Sequence, residues 1–107
     1  EPEVTAGFDG TTIKVGIIND FSGPAAIIGL PLQAGVATYY EWVNSQGGIA
    51  GKYPVELVDA DSTYNPSVAV QAYNDMKDEI AIVGNLFGTP VTTAVLESLK
   101  EVVYVFR

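Results

Sequence analysis

IKVGIINDFSGPAAIIG, residues Ile13 to Gly29, opens with four β-branched residues, Ile13, Val15, Ile17 and Ile18, interrupted only by Lys14 and Gly16. A short, nearly unbroken apolar run of this kind is the pattern of a strand buried on both faces, as in a parallel sheet. Polarity then changes abruptly at Asn19-Asp20, and Phe21-Ser22-Gly23-Pro24 ends the strand. Ligands of open α/β sheets sit beyond the carboxyl ends of the strands, so this turn is the first place to look for function.

Working outward, Leu32, Val36, Tyr39 or Tyr40, and Val43 recur at spacings of three and four and predict a helix. Gly29 and Pro31 suit its entrance. Gln46-Gly47-Gly48 supplies a left-handed cap just after Asn44-Ser45. Tyr39, Tyr40 and Trp42 are expected to pack against the sheet. Tyr53 to Asp59 reads as a second strand, which Pro54 confines to an edge or to pairing beyond itself. Asn65-Pro66 starts a second helix with the buried stripe Val68, Ala69, Ala72, Tyr73 and Met76. Ile80 to Gly84 is a third strand. Thr89 and Pro90 open a third helix along Val91, Val95 and Leu99, and Val102 to Phe106 reads as a fourth strand. Residues 1–12 form a loose leader. Strands alternating with helices predict an α/β, three-layer βαβαβαβ parallel sheet of order 2-1-3-4.

A chain of 107 residues suits one domain with a modest core. Its net charge of −8 weighs against nucleic acid or an anionic membrane as partner, since both call for basic patches. With no Cys and no His, the thiolate nucleophile, the zinc-thiolate site and the usual general base are all missing. That composition predicts neither a catalytic residue nor a metal site nor a cofactor. No apolar run reaches the ~18 residues of a membrane-spanning helix. EPEVTAGFDG lacks the basic and apolar regions of a signal peptide, as in a mature chain whose signal has been removed.

The three strand-to-helix turns should converge on one edge of the sheet, bringing together Asp20 to Gly23, then Asp59, Asp61 and Ser62, then Phe87 to Thr89. Helix N-termini suit a carboxylate or phosphate, whereas Ser22, Asn65 and Thr89 serve equally as plain helix caps. The dinucleotide and Walker glycine motifs are both lacking. A phospho-receiver needs an acceptor Asp at the end of the third strand, where this chain has Asn85. The hydroxyl-rich loop of flavodoxin-like nucleotide binding is reduced to Ser22. Asp59 and Asp61 are too few carboxylates for a hard cation without further oxygens.

Four motifs in order then carry a resemblance: IKVGIINDFSGPAAIIG, NSQGGI, the acidic strand end before Asn65-Pro66, and IAIVGNLFGTP. Over residues 13 to about 99 the chain resembles the N-terminal part of the branched-chain-amino-acid type of ABC-transporter substrate-binding proteins. The resemblance implies a periplasmic or cell-surface solute receptor and an ABC permease as partner. It also implies that residues 13–107 are one partial lobe of a two-lobed fold, the chain being a fragment or an altered form. It implies an amino acid or similar small carboxylate held by the turn Phe87-Gly88-Thr89, with Ser22 nearby. The family's aromatic contact falls on Ile28, which leaves Phe21 or Phe87 to supply a ring. An uncovered edge at Val102–Phe106 predicts a homo-oligomer joined there. The competing reading is a small enzyme or switch using Mg²⁺ on Asp20, Asp59 and Asp61.

Overall fold

Strand β1, Ile13–Asn19, is the middle of a three-stranded parallel sheet of order β2-β1-β3, with β2 at Val55–Asp61 and β3 at Ile82–Leu86. The computed structural model describes residues 6–100, apart from the side chains of residues 97, 99 and 100. From Val15 onward every residue of β1 is buried. Helices cover both faces of this strand, which is why its sequence runs apolar without alternation. Val15, Ile17 and Val55 pack with Val36, Tyr40 and Val43 of α1, Ala26–Ser45. On the other face, Ile18 joins Ala69, Tyr73 and Met76 of α2, Pro66–Met76, and Val91 and Val95 of α3, Thr89–Lys100. Each such side chain contributes about 1.5–3 kcal/mol on full burial.

The β1–β2 ladder runs from Ile13↔Val55 to Asn19↔Asp61. It is bracketed by bonds from the Ile13 N–H to the Pro54 carbonyl (2.9 Å) and from the Ser62 N–H to the Asn19 carbonyl (2.8 Å). In a parallel pair, alternate residues of a strand turn their backbone groups toward the neighbour. Those bonds therefore fix the parity. Glu56, Val58 and Ala60 address β1, while Val55, Leu57, Asp59 and Asp61 face the open edge. Pro54 stands just before β2, on an edge strand, as its missing N–H dictates.

Several boundaries differ from expectation, each for a physical reason. Strand β3 covers Ile82–Leu86 rather than 80–84. Ile80 is instead a buried anchor of the turn after α2, and Ala81 makes the first bond, to Lys14. A register shift at Gly16/Ile17 then lets Asn85 oppose Ile17. Helix α1 begins at Ala26 and runs on through Pro31. Gly29, placed at the helix entrance on sequence grounds, lies within the first turns, where the helix crosses the end of β1 so closely that a Cβ would sit 2.0 Å from the Asp20 carbonyl. The C-terminus agrees with expectation: Gly47 (φ +96°) follows Ser45 and Gln46, and the Gly48 N–H bonds the Val43 carbonyl at 3.0 Å.

Tyr39 and Trp42 do not pack on the sheet; they are 58% and 60% exposed. Apolar residues surround much of α1, and only the face with Val36, Tyr40 and Val43 reaches strand side chains. Val68, assigned to the buried stripe of α2, is 39% exposed, while Ala69, Tyr73 and Met76 are buried as expected. Asn65 caps α2 as read, its carboxamide oxygen accepting from the N–H groups of Ser67 and Val68. Gly7 and Phe8 of the leader contact the body of the fold. Lys14 donates to the Gly7 carbonyl at 2.7 Å, and Phe8 meets the Tyr53 ring edge-on at 5.2 Å. The fourth strand expected at Val102–Phe106, and the oligomer contact expected through it, lie outside the described residues. Among those described, no helix is long and apolar enough to cross a membrane.

Candidate functional site at the carboxyl edge of the sheet

The parallel strands deliver all three strand-to-helix turns to one edge. In the first turn, Asn19 and Asp20 are both fully buried. Asp20 Oδ1 accepts from the N–H groups of Ser22 (3.2 Å) and Gly23 (2.5 Å), and its Oδ2 accepts from that of Ala25 (2.7 Å). Asn19 donates to the Gly29 carbonyl at 2.8 Å and accepts from the Asp20 N–H at 2.8 Å. The positive end of α1 thus already holds a carboxylate, and it is the chain's own.

Asp61 closes the second turn onto the first. Its Oδ1 accepts from the N–H groups of Phe21 (3.0 Å) and Thr63 (2.9 Å), and its Oδ2 from the Ser22 hydroxyl at 2.5 Å. Partial burial opposes ionisation of Asp61. The hydrogen bonds from Ser22, Phe21 and Thr63 together outweigh it and hold the carboxyl below its ordinary value. A carboxyl depressed in the folded state contributes stability above its unfolded pKa and loses it as pH falls through the folded value. Asp61→Asn should therefore lower Tm at neutral pH, and the gap to the parent chain should narrow as the pH falls through and below 3.8, the ordinary value of the group. A gap that stays constant across thermal melts in that window would contradict this account.

The third turn is built around an aromatic contact. Thr63 (φ +50°) and Tyr64 (φ +61°) both sit in the left-handed region, a costly choice for non-glycine residues that is common at functional sites. The buried Ser62 hydroxyl accepts from the Tyr64 N–H at 3.1 Å and helps to hold this turn. It brings the Tyr64 ring to 5.9 Å from that of Phe87. Gly88 (φ +103°) passes beneath, where a Cβ would stand 2.6 Å from Tyr64 Cε1. Helix α3 starts at once: the Thr92 N–H bonds the Gly88 carbonyl at 2.8 Å. Its first-turn N–H groups, that of Thr89 among them, have no partner within the helix.

The expected site residues are placed as follows. Phe21 and Ser22 lie together on the first turn, and both bond Asp61. Phe87 and Gly88 lie together under Tyr64, and Thr89 is exposed at the start of α3. Ile28 is 59% exposed on the first turn of α1, flanked by Ile27 at 83% and Leu30 at 52%. Sequence reasoning missed Tyr64. Its only signal is an aromatic directly before the capping pair Asn65-Pro66. For the Mg²⁺ reading, the oxygens of Asp20 and Asp61 are engaged by backbone N–H groups and a hydroxyl, so they serve as loop acceptors. Among the described residues, no group of three carboxylates converges on a common point.

The periplasmic binding protein family model matches residues 12–106. The Leu/Ile/Val-binding protein homologue 3 of Brucella melitensis is 36% identical over 90 residues, covering 83% of this chain and 24% of that protein. A fatty acid ABC transporter substrate-binding protein from Thermomonospora curvata superposes with a TM-score of 0.87 at 30% identity, covering 92% of this chain and 25% of that one. A branched-chain amino acid transporter substrate-binding protein from Streptococcus pneumoniae, solved with isoleucine, gives a TM-score of 0.74 at 26% identity, over 85% of this chain and 26% of that one. The chain thus spans about a quarter of the length of the relatives it matches.

Proposed function

We propose, from the premise that this chain belongs to the periplasmic binding protein family, that it supplies one wall of a receptor that captures a small carboxylate outside the cytoplasm and passes it to an ABC permease. The observation that carries this reading is a contrast among the turns. At the first turn, N–H groups are consumed by Asp20 and Asp61. At the second, Asn65 caps the helix. Among the described residues, only the Gly88-Thr89 turn offers a helix N-terminus to which no carboxylate or side-chain cap is bonded, and it does so beside the Tyr64–Phe87 ring pair. A ligand carboxylate fits that N-terminus, and an apolar tail fits the rings and the exposed Ile28. The names of the relatives support this class, since one is named for Leu, Ile and Val and another for fatty acids.

The test is calorimetric titration of the chain with leucine, isoleucine, octanoate and the matching uncharged amides. One wall alone should bind weakly, because domain closure and half the contacts are missing. Each carboxylate should nevertheless bind about tenfold more tightly than its amide. Thr89→Pro removes the first-turn N–H at a position where proline suits a helix, and it should abolish that preference while leaving Tm within a few degrees. Equal binding of acid and amide, or an unchanged preference in the variant, would overturn the reading.

A further inference from the structure

The outer edge of β2 is closed at one end only. The Asn44 carboxamide clamps both backbone groups of Val55, accepting from its N–H at 2.8 Å and donating to its carbonyl at 2.9 Å. Leu57, Asp59 and Asp61 direct their backbone groups the same way, and among the described residues no side chain clamps them in that manner. Alongside lies a groove of about 560 Å³ between β2 and α2, floored by Val58, Ala60, Val68, Ala72 and Met76. Asp75 and Glu79 on the helix side make its rim acidic, and no Lys or Arg lines it.

We infer that this edge and groove dock an extended cationic polypeptide segment, with Lys or Arg alternating with apolar residues, as a further strand beside β2. The open backbone groups supply the ladder, as in other strand-addition complexes. Side chains of an added strand point alternately to the two faces, so every second one lies over the groove. There the methylene stem of a Lys or Arg covers Val58, Val68 and Met76 while its charged head meets Asp75 or Glu79, and the apolar residues between the cations take the opposite face, that of Leu57. The acidic rim also selects against a second copy of this chain, which carries only five Lys and Arg against thirteen Asp and Glu. Residues 1–5, with two glutamates and no cation, are equally unsuited as the occupant. The surface lies on a different element from the Gly88-Thr89 turn and stands independently of the solute.

The test uses the acetylated, amidated peptide Lys-Val-Lys-Thr-Lys-Val-Lys and its Glu-for-Lys counterpart, with residue-resolved amide exchange on the 107-residue chain. The cationic peptide should slow exchange at Leu57, Asp59 and Asp61 by about tenfold or more, and leave Glu56, Val58 and Ala60, already bonded to β1, unchanged. The acidic peptide should protect none of them. The paired change Asp75→Asn with Glu79→Gln, at two exposed positions, should weaken the effect at least about fivefold. Binding without protection at the odd-numbered residues, equal protection by the acidic peptide, or undiminished binding to the double variant would each overturn the inference. Diffuse attraction of a cation to an acidic protein would produce the first of these.

Discussion

Asp20→Ala will cost the fold about 3–4 kcal/mol and lower Tm by about 15–25 °C, a large share of the about 5–15 kcal/mol that holds a domain of this size together. The carboxylate is fully buried and receives three backbone N–H groups from the loop that turns β1 into α1. Alanine leaves those donors without acceptors and α1 without a cap, because Ala25 has no side chain to offer one. Asp20→Asn should cost about half as much. It keeps the shape and one oxygen, but it points an amide at a donor. Urea unfolding with an unchanged m-value measures both variants, and two equal losses would show that the charge and second oxygen are immaterial.

Gly29→Val will prevent folding, and Gly29→Ala alone should cost more than about 3 kcal/mol. A Cβ at this position would stand 2.0 Å from the Asp20 carbonyl oxygen and 3.0 Å from Asn19 Oδ1. Both atoms belong to fully buried residues, one of them backbone and the other already accepting from the Asp20 N–H, so neither can yield. The helix would have to lift away, losing the Asn19–Gly29 bond with it. Gly35, on the same helix, supplies the control, because an added Cβ there meets nothing within 4 Å. Gly35→Ala should stabilise by about 0.5–1 kcal/mol, from the backbone entropy glycine otherwise loses. Circular dichroism melts of the three variants measure the contrast. A folded Gly29→Val chain near the parent Tm would refute the close crossing.

The layers, the parallel sheet and the order of its first three strands were legible because each rests on a pattern longer than its local exceptions. The run in β1 announces two covered faces, and Asn65-Pro66 and Gly47-Gly48 punctuate the helices where they occur. Boundaries were less legible. Ile80 is as apolar as Ile82, and only pairing with Val15 shows which of them begins the strand. Tyr39 and Tyr40 are adjacent in sequence but about 100° apart around a helix, and periodicity could not choose between them. At the site, sequence placed the right turns together without saying who serves whom. Asp20 stood as a Mg²⁺ ligand in the competing reading and is a loop acceptor; Ser22 read as a ligand contact or a helix cap and donates to Asp61. Such roles depend on contacts tens of residues apart, as with Phe21 and Asp61, that no local motif encodes. Tyr64 was missed because a left-handed backbone at a tyrosine has no sequence signature.

The Asn44 clamp has a consequence for how the chain finds its alignment. A crossover unit such as β1-α1-β2 can misthread, since an apolar strand tolerates neighbouring alignments until one face is checked. A slip of one residue would bring Glu56 under α1 in place of Val55. It would also turn backbone groups committed to β1 toward the helix end. A slip of two would restore the faces but offer the carboxamide Tyr53 or Leu57 in place of Val55, breaking the Ile13–Pro54 bond that opens the ladder. Asn44, spaced 11 residues from its partner, thus acts as a proofreader: it rewards the native threading of β2 from within the first crossover itself, with no contact to β3 required.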